Sequence, residues 1–294
     1  MKTFLGVIGG SGIYEVPGLT KACWTSISTP WGNPSDELLI GELSGIPIAF
    51  LPRHGRGHRN SPSGINYRAN IDALKRVGVT DLISLSACGS LKEELSPGTF
   101  VLVNQFVDRT FARDKSFFGN GCVAHVAFAE PVSPLLVGYV ADAARAEKLP
   151  LHLGGTYLAM EGPQFSTLAE SALYRSWGCD VIGMTNMPEA KLAREAELCY
   201  ATVAMVTDYD SWHTEFGTVE VSKVIETLLS NAESAKRLVS RLARSIPRDH
   251  QSCPIGSDRA LDYAIITSPE ARDPAVVAKL DAIAGRVLGT HESQ

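Results

Sequence analysis

The sequence predicts an α/β domain built on a largely parallel, covered sheet. Short apolar runs of strand length alternate with helical patterns along the chain, and that alternation builds helices packed over parallel strands. The helical patterns are one-sided, so each has a face to bury. With 294 residues, 45% hydrophobic and 20% charged, the chain is long enough for one large domain of ordinary globular composition. No internal repeat or low-complexity segment interrupts it. The expected domain spans residues 1–246. Composition shifts near Ser245, Pro247 and Arg248, and residues 247–294 read as a loop and helical tail packed on the same domain or on a neighbouring subunit.

The elements follow in chain order. Residues 4–8 are apolar and lead into glycines; the run is too short for a signal peptide and reads as the first strand. Strands are expected next over 37–43 and 46–51. Over 66–77, Tyr67, Ile71 and Leu74 share one helical face. Strands over 81–86 and 100–106 precede a helix over 134–148 and a strand over 156–160. Thr167 and Glu170 form a capping box that opens a helix over 167–177. A strand over 180–184 leads to a helix over 188–197, where Pro188 and Glu189 suit a first turn. Residues 201–206 are apolar and uninterrupted, so the strand over 200–207 is expected to be buried. Val221, Val224, Ile225, Leu228 and Leu229 make the clearest helical face, within 219–243.

Charge and cysteine usage exclude several classes. A net charge of −5 draws no nucleic acid or anionic membrane to the surface as a whole. No apolar run approaches the roughly 18 residues needed to span a bilayer. The six cysteines are scattered without a C-x-x-C, which predicts free thiols in a reducing cytoplasm, with neither a zinc site nor a disulfide framework.

The chemistry concentrates after strands. Asp208 and Asp210 stand two residues apart at the end of the buried run, hence on one face of a strand. Ligands of open α/β sheets bind beyond the carboxyl ends of strands, and a carboxylate pair there suits an N–H-rich edge such as adenine's amino group. An isolated D-x-D also fits a solvated turn. Three other segments suit an oxyanion: Gly9, Gly10, Ser11 and Gly12 after the first strand, the cationic run 53–59, and the small residues 86–90. The first fails as a dinucleotide fingerprint, because Glu15 stands where a third glycine belongs. Phe165 follows a Gly-Pro turn, where it can stack on a purine or simply anchor the loop. His125, in apolar company, reads by itself as a structural histidine. No Ser-His-Asp signature, H-E-x-x-H or Walker loop supplies a protein nucleophile. That fits a reaction in which bound phosphate attacks.

Read together, segments 9–12, 53–55, 66–70, 87–90, 161–166, 184–189 and 207–210 resemble the trimeric purine nucleoside phosphorylases, and within them the branch that cleaves 5′-methylthioadenosine. The likeness covers roughly residues 4–245. It implies a single-domain nucleoside phosphorylase fold with a central mixed sheet flanked by helices. It implies phosphate contacts from Ser11, Arg53, His54, Ser86, Ala87 and Thr185. Substrate contacts are implied for Phe165 against the base, Met184 against the ribose, Ile182, Val224, and Asp208 and Asp210 as base-binding, catalytic acids. His125 is implied to serve a neighbouring subunit's site, which reverses the reading made from its surroundings alone. A homotrimer, or a hexamer, follows, with no metal or organic cofactor and with inorganic phosphate as co-substrate.

Two places set the branch. Relatives that cleave 6-oxopurines carry Asn where Asp208 stands; an ionised carboxylate repels O6, so a 6-amino group is favoured. Those relatives also place a histidine against the ribose 5′-hydroxyl where Val221 stands, and an apolar side chain suits a methylthio group instead. The tail departs from relatives that carry C-x-C near its start, since Cys253 stands alone. The expected reaction is phosphorolysis of 5′-methylthioadenosine to adenine and 5-methylthioribose 1-phosphate, a step of purine and methionine salvage. In it Asp208 donates a proton to N7, its pKa raised by nearby Asp210. The alternative is a 6-oxopurine nucleoside or methylthioinosine phosphorylase. An NAD-dependent enzyme and a silent purine-binding protein are more distant readings.

Overall fold

A computed structural model describes residues 1–10, 13, 15–213 and 221–289, with the side chains of all of these except 221–224. Eleven strands are described: β1 (Leu5–Gly9), β2 (Thr20–Thr25), β3 (Leu38–Leu43), β4 (Ile46–Pro52), β5 (Asp81–Ser90), β6 (Phe100–Val103), β7 (Gln105–Asp108), β8 (Leu151–Leu153), β9 (Thr156–Ala159), β10 (Val181–Gly183) and β11 (Cys199–Tyr209). They form one mixed sheet. Its main path runs β2-β3-β4-β1-β5-β10-β9-β7, while β11 pairs with β5 and β6, and β6 with β8. Six of the ten strand pairings are parallel, so the sheet is mostly parallel as expected.

Strand β5 organises the centre. Its first half pairs in parallel with β1, Leu5 to Asp81 through Ile8 to Ser84. Its last two residues, Gly89 and Ser90, pair instead with β10. Strand β11 runs along its other edge, from Cys199 beside Asp81 to Tyr209 beside Ser90. This switch of partners gathers the carboxyl ends of β1, β4, β5 and β11 at one end of the sheet, where α/β folds bind ligands.

Both faces are covered, because side chains alternate across each strand. On β11, Ala201, Val203 and Met205 face one core, shared with Leu238, Val239 and Leu242 of α5 (Val221–Ser245) and Val140 of α2 (Pro134–Ala146). Tyr200, Ala204 and Val206 face the other, shared with Ile71 and Leu74 of α1 (Tyr67–Arg76) and Leu192 of α4 (Asn186–Glu195). Helix α3 (Leu168–Ser176) opens on the expected capping box, Thr167 with Glu170.

The expected strand over 100–106 divides at Asn104: β6 pairs with β11 and β8, whereas β7 pairs with β9. Strand β2 has no sequence signal because it is a largely exposed edge with no apolar alternation to read. Beyond residue 246, the tail carries α6 (Pro274–Lys279) and α7 (Asp281–Leu288). Leu280, Ile283 and Ala284 are buried, and the tail bridges this chain's own Lys2 and Ala124 through Asp249 and Ile265. Among the described residues, no helix is long and apolar enough to cross a membrane.

Candidate active site

A cavity of about 280 Å³ opens over the strand ends. Arg53, His54, Ser86, Ala87, Phe165, Ile182, Met184, Thr185, Asp208 and Asp210, expected from separate segments, all line it. Ser11 lies outside the described residues, as do the side chains of Val221 and Val224. The helical face they begin does reach the cavity one turn later, through Leu228 and Ala232. His125 does not line this chain's cavity; it is exposed, and its backbone N–H donates to the Ala264 carbonyl at 2.9 Å.

One end of the cavity is built from neutral donors. Ser86 Oγ lies 3.1 Å from the Tyr157 hydroxyl and 3.3 Å from Thr185 Oγ1. Thr185 caps α4 but makes no side-chain capping bond, which leaves its hydroxyl to the cavity. Burial pushes the Tyr157 hydroxyl up to about 12, so it stays protonated and can orient Ser86. His54 Nδ1 sits 2.8 Å from the Asn60 carbonyl, which assigns the ring proton to Nδ1. Burial, chiefly, pulls its pKa down to about 4, against the bond to Asn60 and helped by Arg53 and His58. His54 is therefore neutral at pH 7. It stacks on His58, which also lines the cavity, at a centroid distance of 4.2 Å.

The run 53–59 is far less cationic than its sequence implies. Arg53 is buried and forms a bidentate pair with Glu189, while donating to the Leu85 carbonyl and Ser84 Oγ. Arg56 binds Asp36 and Glu37, and Arg59 lies 3.6 Å from Asp36. Each arginine meets a carboxylate from another segment, which local spacing cannot reveal.

The other end holds the acids. Gly89 makes room for them, since a Cβ there would stand 3.0 Å from Asp208 Oδ1 and 3.3 Å from Asp210 Cβ. Both side chains therefore border the same point of β5, although β11 ends at Tyr209 and its pairing with β5 shifts register between Val206 and Asp208. Thr207 Oγ1 donates to Asp208 Oδ2 at 2.7 Å. The Asp208 pKa is raised to about 6, mainly by burial; Thr207 opposes and the Asp210 charge adds less. Desolvation, more than the like-charge repulsion inferred from sequence, thus sets this value. Burial also raises Asp210, whose Oδ2 has no hydrogen-bond partner among the described residues.

Arg113, which sequence reasoning missed, braces the wall behind Met184. Arg113 donates to the carbonyls of Met184 and Met187, both at 2.6 Å, and to that of Glu161 at 2.8 Å. The Glu161 side chain accepts from the Phe111 N–H at 2.6 Å. Gly162 has φ +69, and a Cβ there would lie 2.5 Å from Met184 Sδ. Arg113 and Gly162 thereby fix Met184 and the turn that carries half-exposed Phe165. Arg113 has no sequence signal, because it sits in a loop without periodicity.

Residues 4–244 match the Phosphorylase superfamily. The S-methyl-5′-thioadenosine phosphorylase of Cereibacter sphaeroides is 65% identical, over 98% of this chain and 99% of that one. A crystal structure of methylthioadenosine phosphorylase from an antarctic soil metagenomic library superposes with a TM-score of 0.91 at 43% identity, covering 96% of this chain and 99% of that one. The Schistosoma mansoni methylthioadenosine phosphorylase in complex with adenine gives a TM-score of 0.78 at 37% identity, covering 82% and 91%. A mostly parallel sheet that brings hydroxyls and an acid pair to one cavity, and matches of this length and identity, agree: the chain belongs to the phosphorylase superfamily and, within it, to the S-methyl-5′-thioadenosine phosphorylases.

Proposed function

We propose that this protein cleaves 5′-methylthioadenosine with inorganic phosphate, releasing adenine and 5-methylthioribose 1-phosphate. The observation that carries the reading is Asp208, a carboxylic acid held at about 6 by burial, across one cavity from a cluster of hydroxyls. A carboxyl at that value can hold a proton near neutrality and give it to N7 of a departing adenine. Asp210 holds the base beside it. Phe165 lies against the purine, and Met184, Ile182, Val221 and Val224 enclose the methylthioribose.

Phosphate is held by Ser11, Ser86, Ala87, Thr185, His54 and Arg53. The pairing of Arg53 with Glu189 makes these largely neutral donors, and after its bonds to Glu189, Leu85 and Ser84 one N–H of Arg53 Nη1 remains to point at an anion. As the glycosidic bond lengthens, charge grows at the ribosyl carbon, and the bound phosphate stabilises it before forming the new C–O bond. No protein nucleophile takes part. The assembly is a cytoplasmic homotrimer in which His125 reaches the adjacent subunit's cavity. Residues 1–246 are the catalytic domain and 247–294 an added tail.

Turnover of methylthioadenosine, adenosine, inosine and methylthioinosine, each with and without phosphate, tests the reading. Phosphate-dependent release of adenine from methylthioadenosine is expected. Faster cleavage of the inosine substrates, or turnover without phosphate, would overturn it.

A further inference from the structure

Beneath the neutral end of the cavity lies a phenol that does not itself line it. Tyr157 of β9 is 0% exposed, and its hydroxyl stands 3.1 Å from Ser86 Oγ, which does line the cavity. Tyr157 pairs with Val181 of β10, and its side chain runs along that strand to Gly183, two residues further on. A Cβ at Gly183 would fall 1.8 Å from the phenol oxygen and 2.6 Å from the ring carbon that bears it. No left-handed backbone calls for glycine at this position; the close approach of the phenol alone requires it. We propose that Tyr157 is a positioning residue for the phosphate: its hydroxyl, admitted through the slot at Gly183, holds Ser86 so that the serine proton points at the anion. The inference rests on the phosphate reading of this end of the cavity, and adds to it a group that the anion never touches.

Hydrogen-bond accounting sets the direction. A serine hydroxyl has one proton and two lone pairs. The phenol is the stronger acid of the two hydroxyls, and burial keeps it protonated by pushing its pKa up to about 12. Tyr157 therefore donates and Ser86 accepts, which leaves Ser86 its own proton to give. Its acceptors within the chain are the Ala87 carbonyl and Thr185 Oγ1, each at 3.3 Å, and both are long for an O–H donor. A phosphate oxygen, taken into a shorter charge-assisted bond, outcompetes either. Accepting from Tyr157 strengthens the bond that Ser86 donates, because chained hydrogen bonds polarise one another. Ser86 is 3% exposed, so bulk water does not take the place of a missing phenol.

The test is Tyr157→Phe in the full-length protein, which removes one oxygen and keeps the ring beside Phe106. Initial rates are measured against inorganic phosphate at saturating methylthioadenosine, and against methylthioadenosine at saturating phosphate. Losing one buried hydrogen bond to the serine should raise the phosphate concentration for half-saturation about 3–10-fold. Half-saturation by the nucleoside should stay near the wild-type value. The rise of Tm with inorganic phosphate, read without turnover, should move to higher phosphate by the same factor. Ser86→Ala should show a displacement at least as large, and adding Tyr157→Phe to it should change nothing further, since the phenol acts through the serine. A packing defect would instead lower Tm and kcat without separating the two saturations.

Unchanged phosphate saturation in Tyr157→Phe, equal shifts for both substrates, or additive effects in the double variant would overturn the proposal while leaving the phosphorolysis intact. Wild-type turnover without phosphate would overturn the proposed function and this inference with it, so the two failures are told apart.

Discussion

The Arg53 guanidinium meets the Glu189 carboxylate through two parallel bonds, Nε to Oε2 at 2.8 Å and Nη2 to Oε1 at 3.1 Å. Their side chains are 2% and 1% exposed. Removing one partner strands the other's charge in the core, which costs about 3–5 kcal/mol. Glu189→Ala is expected to lose that much in urea unfolding. Arg53→Ala should be similarly destabilised and should also raise the phosphate concentration for half-saturation more than that of the nucleoside. Unchanged phosphate saturation in a folded Arg53→Ala variant would remove Arg53 from the anion site.

Asp208 predicts an opposition between activity and stability. Its pKa rises in the fold from the ordinary 3.8 to about 6, chiefly through burial. Between about pH 4 and 6 the native state therefore holds a proton that the unfolded chain has released, and stability falls as pH rises through that window. Asn carries no such penalty. Asp208→Asn should be about 1–3 kcal/mol more stable than wild type at pH 7.5, with the gap closing by pH 4. The same variant should lose about 10²–10⁴-fold in methylthioadenosine turnover and shift toward 6-oxopurines. Wild-type kcat/KM should decline as pH rises above about 6. Denaturant melts at two pH values and a pH–rate profile check all three. A variant that keeps wild-type turnover would deny Asp208 the role of general acid.

What the sequence made legible follows from how far apart the interacting residues lie in the chain. Asp208 and Asp210 are visible because a buried strand announces itself by its apolar run, and both acids stand at its end. Thr167 and Glu170 are visible because a capping box is local. Tyr157, by contrast, reaches Ser86 across 71 positions, and Glu189 reaches Arg53 across 136. Neither pairing leaves a trace in spacing. For the same reason the run 53–59 reads as a cationic patch until Asp36, Glu37 and Glu189 arrive from elsewhere to neutralise it.

His125 is exposed in the single chain and stands outside its own cavity. If it completes a neighbour's site, the active species is a trimer. Light scattering should give three chains per particle. His125→Ala should weaken nucleoside saturation while leaving the particle size and phosphate saturation near wild type. A fully active monomer would refute this.

The 5′ pocket offers a separate test of specificity. Val221 has no hydrogen-bonding side chain, so a ribose 5′-hydroxyl set against it goes unpaired, at a cost of about 1–3 kcal/mol. A buried methylthio group gains a similar amount. Wild type should therefore prefer methylthioadenosine to adenosine by at least about 10-fold in kcat/KM, and Val221→His should narrow or reverse that ratio. Equal ratios in the two proteins would remove Val221 from the pocket.

Gly89 allows the position of the acids to be tested without altering either one. A methyl there would stand 3.0 Å from Asp208 Oδ1 and 3.3 Å from both Asp210 Cβ and Ile182 Cγ2. Each is closer than ordinary van der Waals contact, so Asp208 must move by a few tenths of an ångström. Displacements of that order at a reacting group cost catalysis well before they cost folding. Gly89→Ala is therefore expected to lower kcat/KM for methylthioadenosine by about 10-fold or more and to destabilise the protein by only about 1–2 kcal/mol. Gly138 supplies the contrast. It is an exposed position in α2 where an added Cβ meets nothing within 4 Å. Gly138→Ala should gain about 0.5–1 kcal/mol from helix propensity and leave turnover unchanged. Wild-type turnover by Gly89→Ala would mean that the reaction tolerates a displaced Asp208 carboxylate, and the proton donor would have to be sought elsewhere in the cavity.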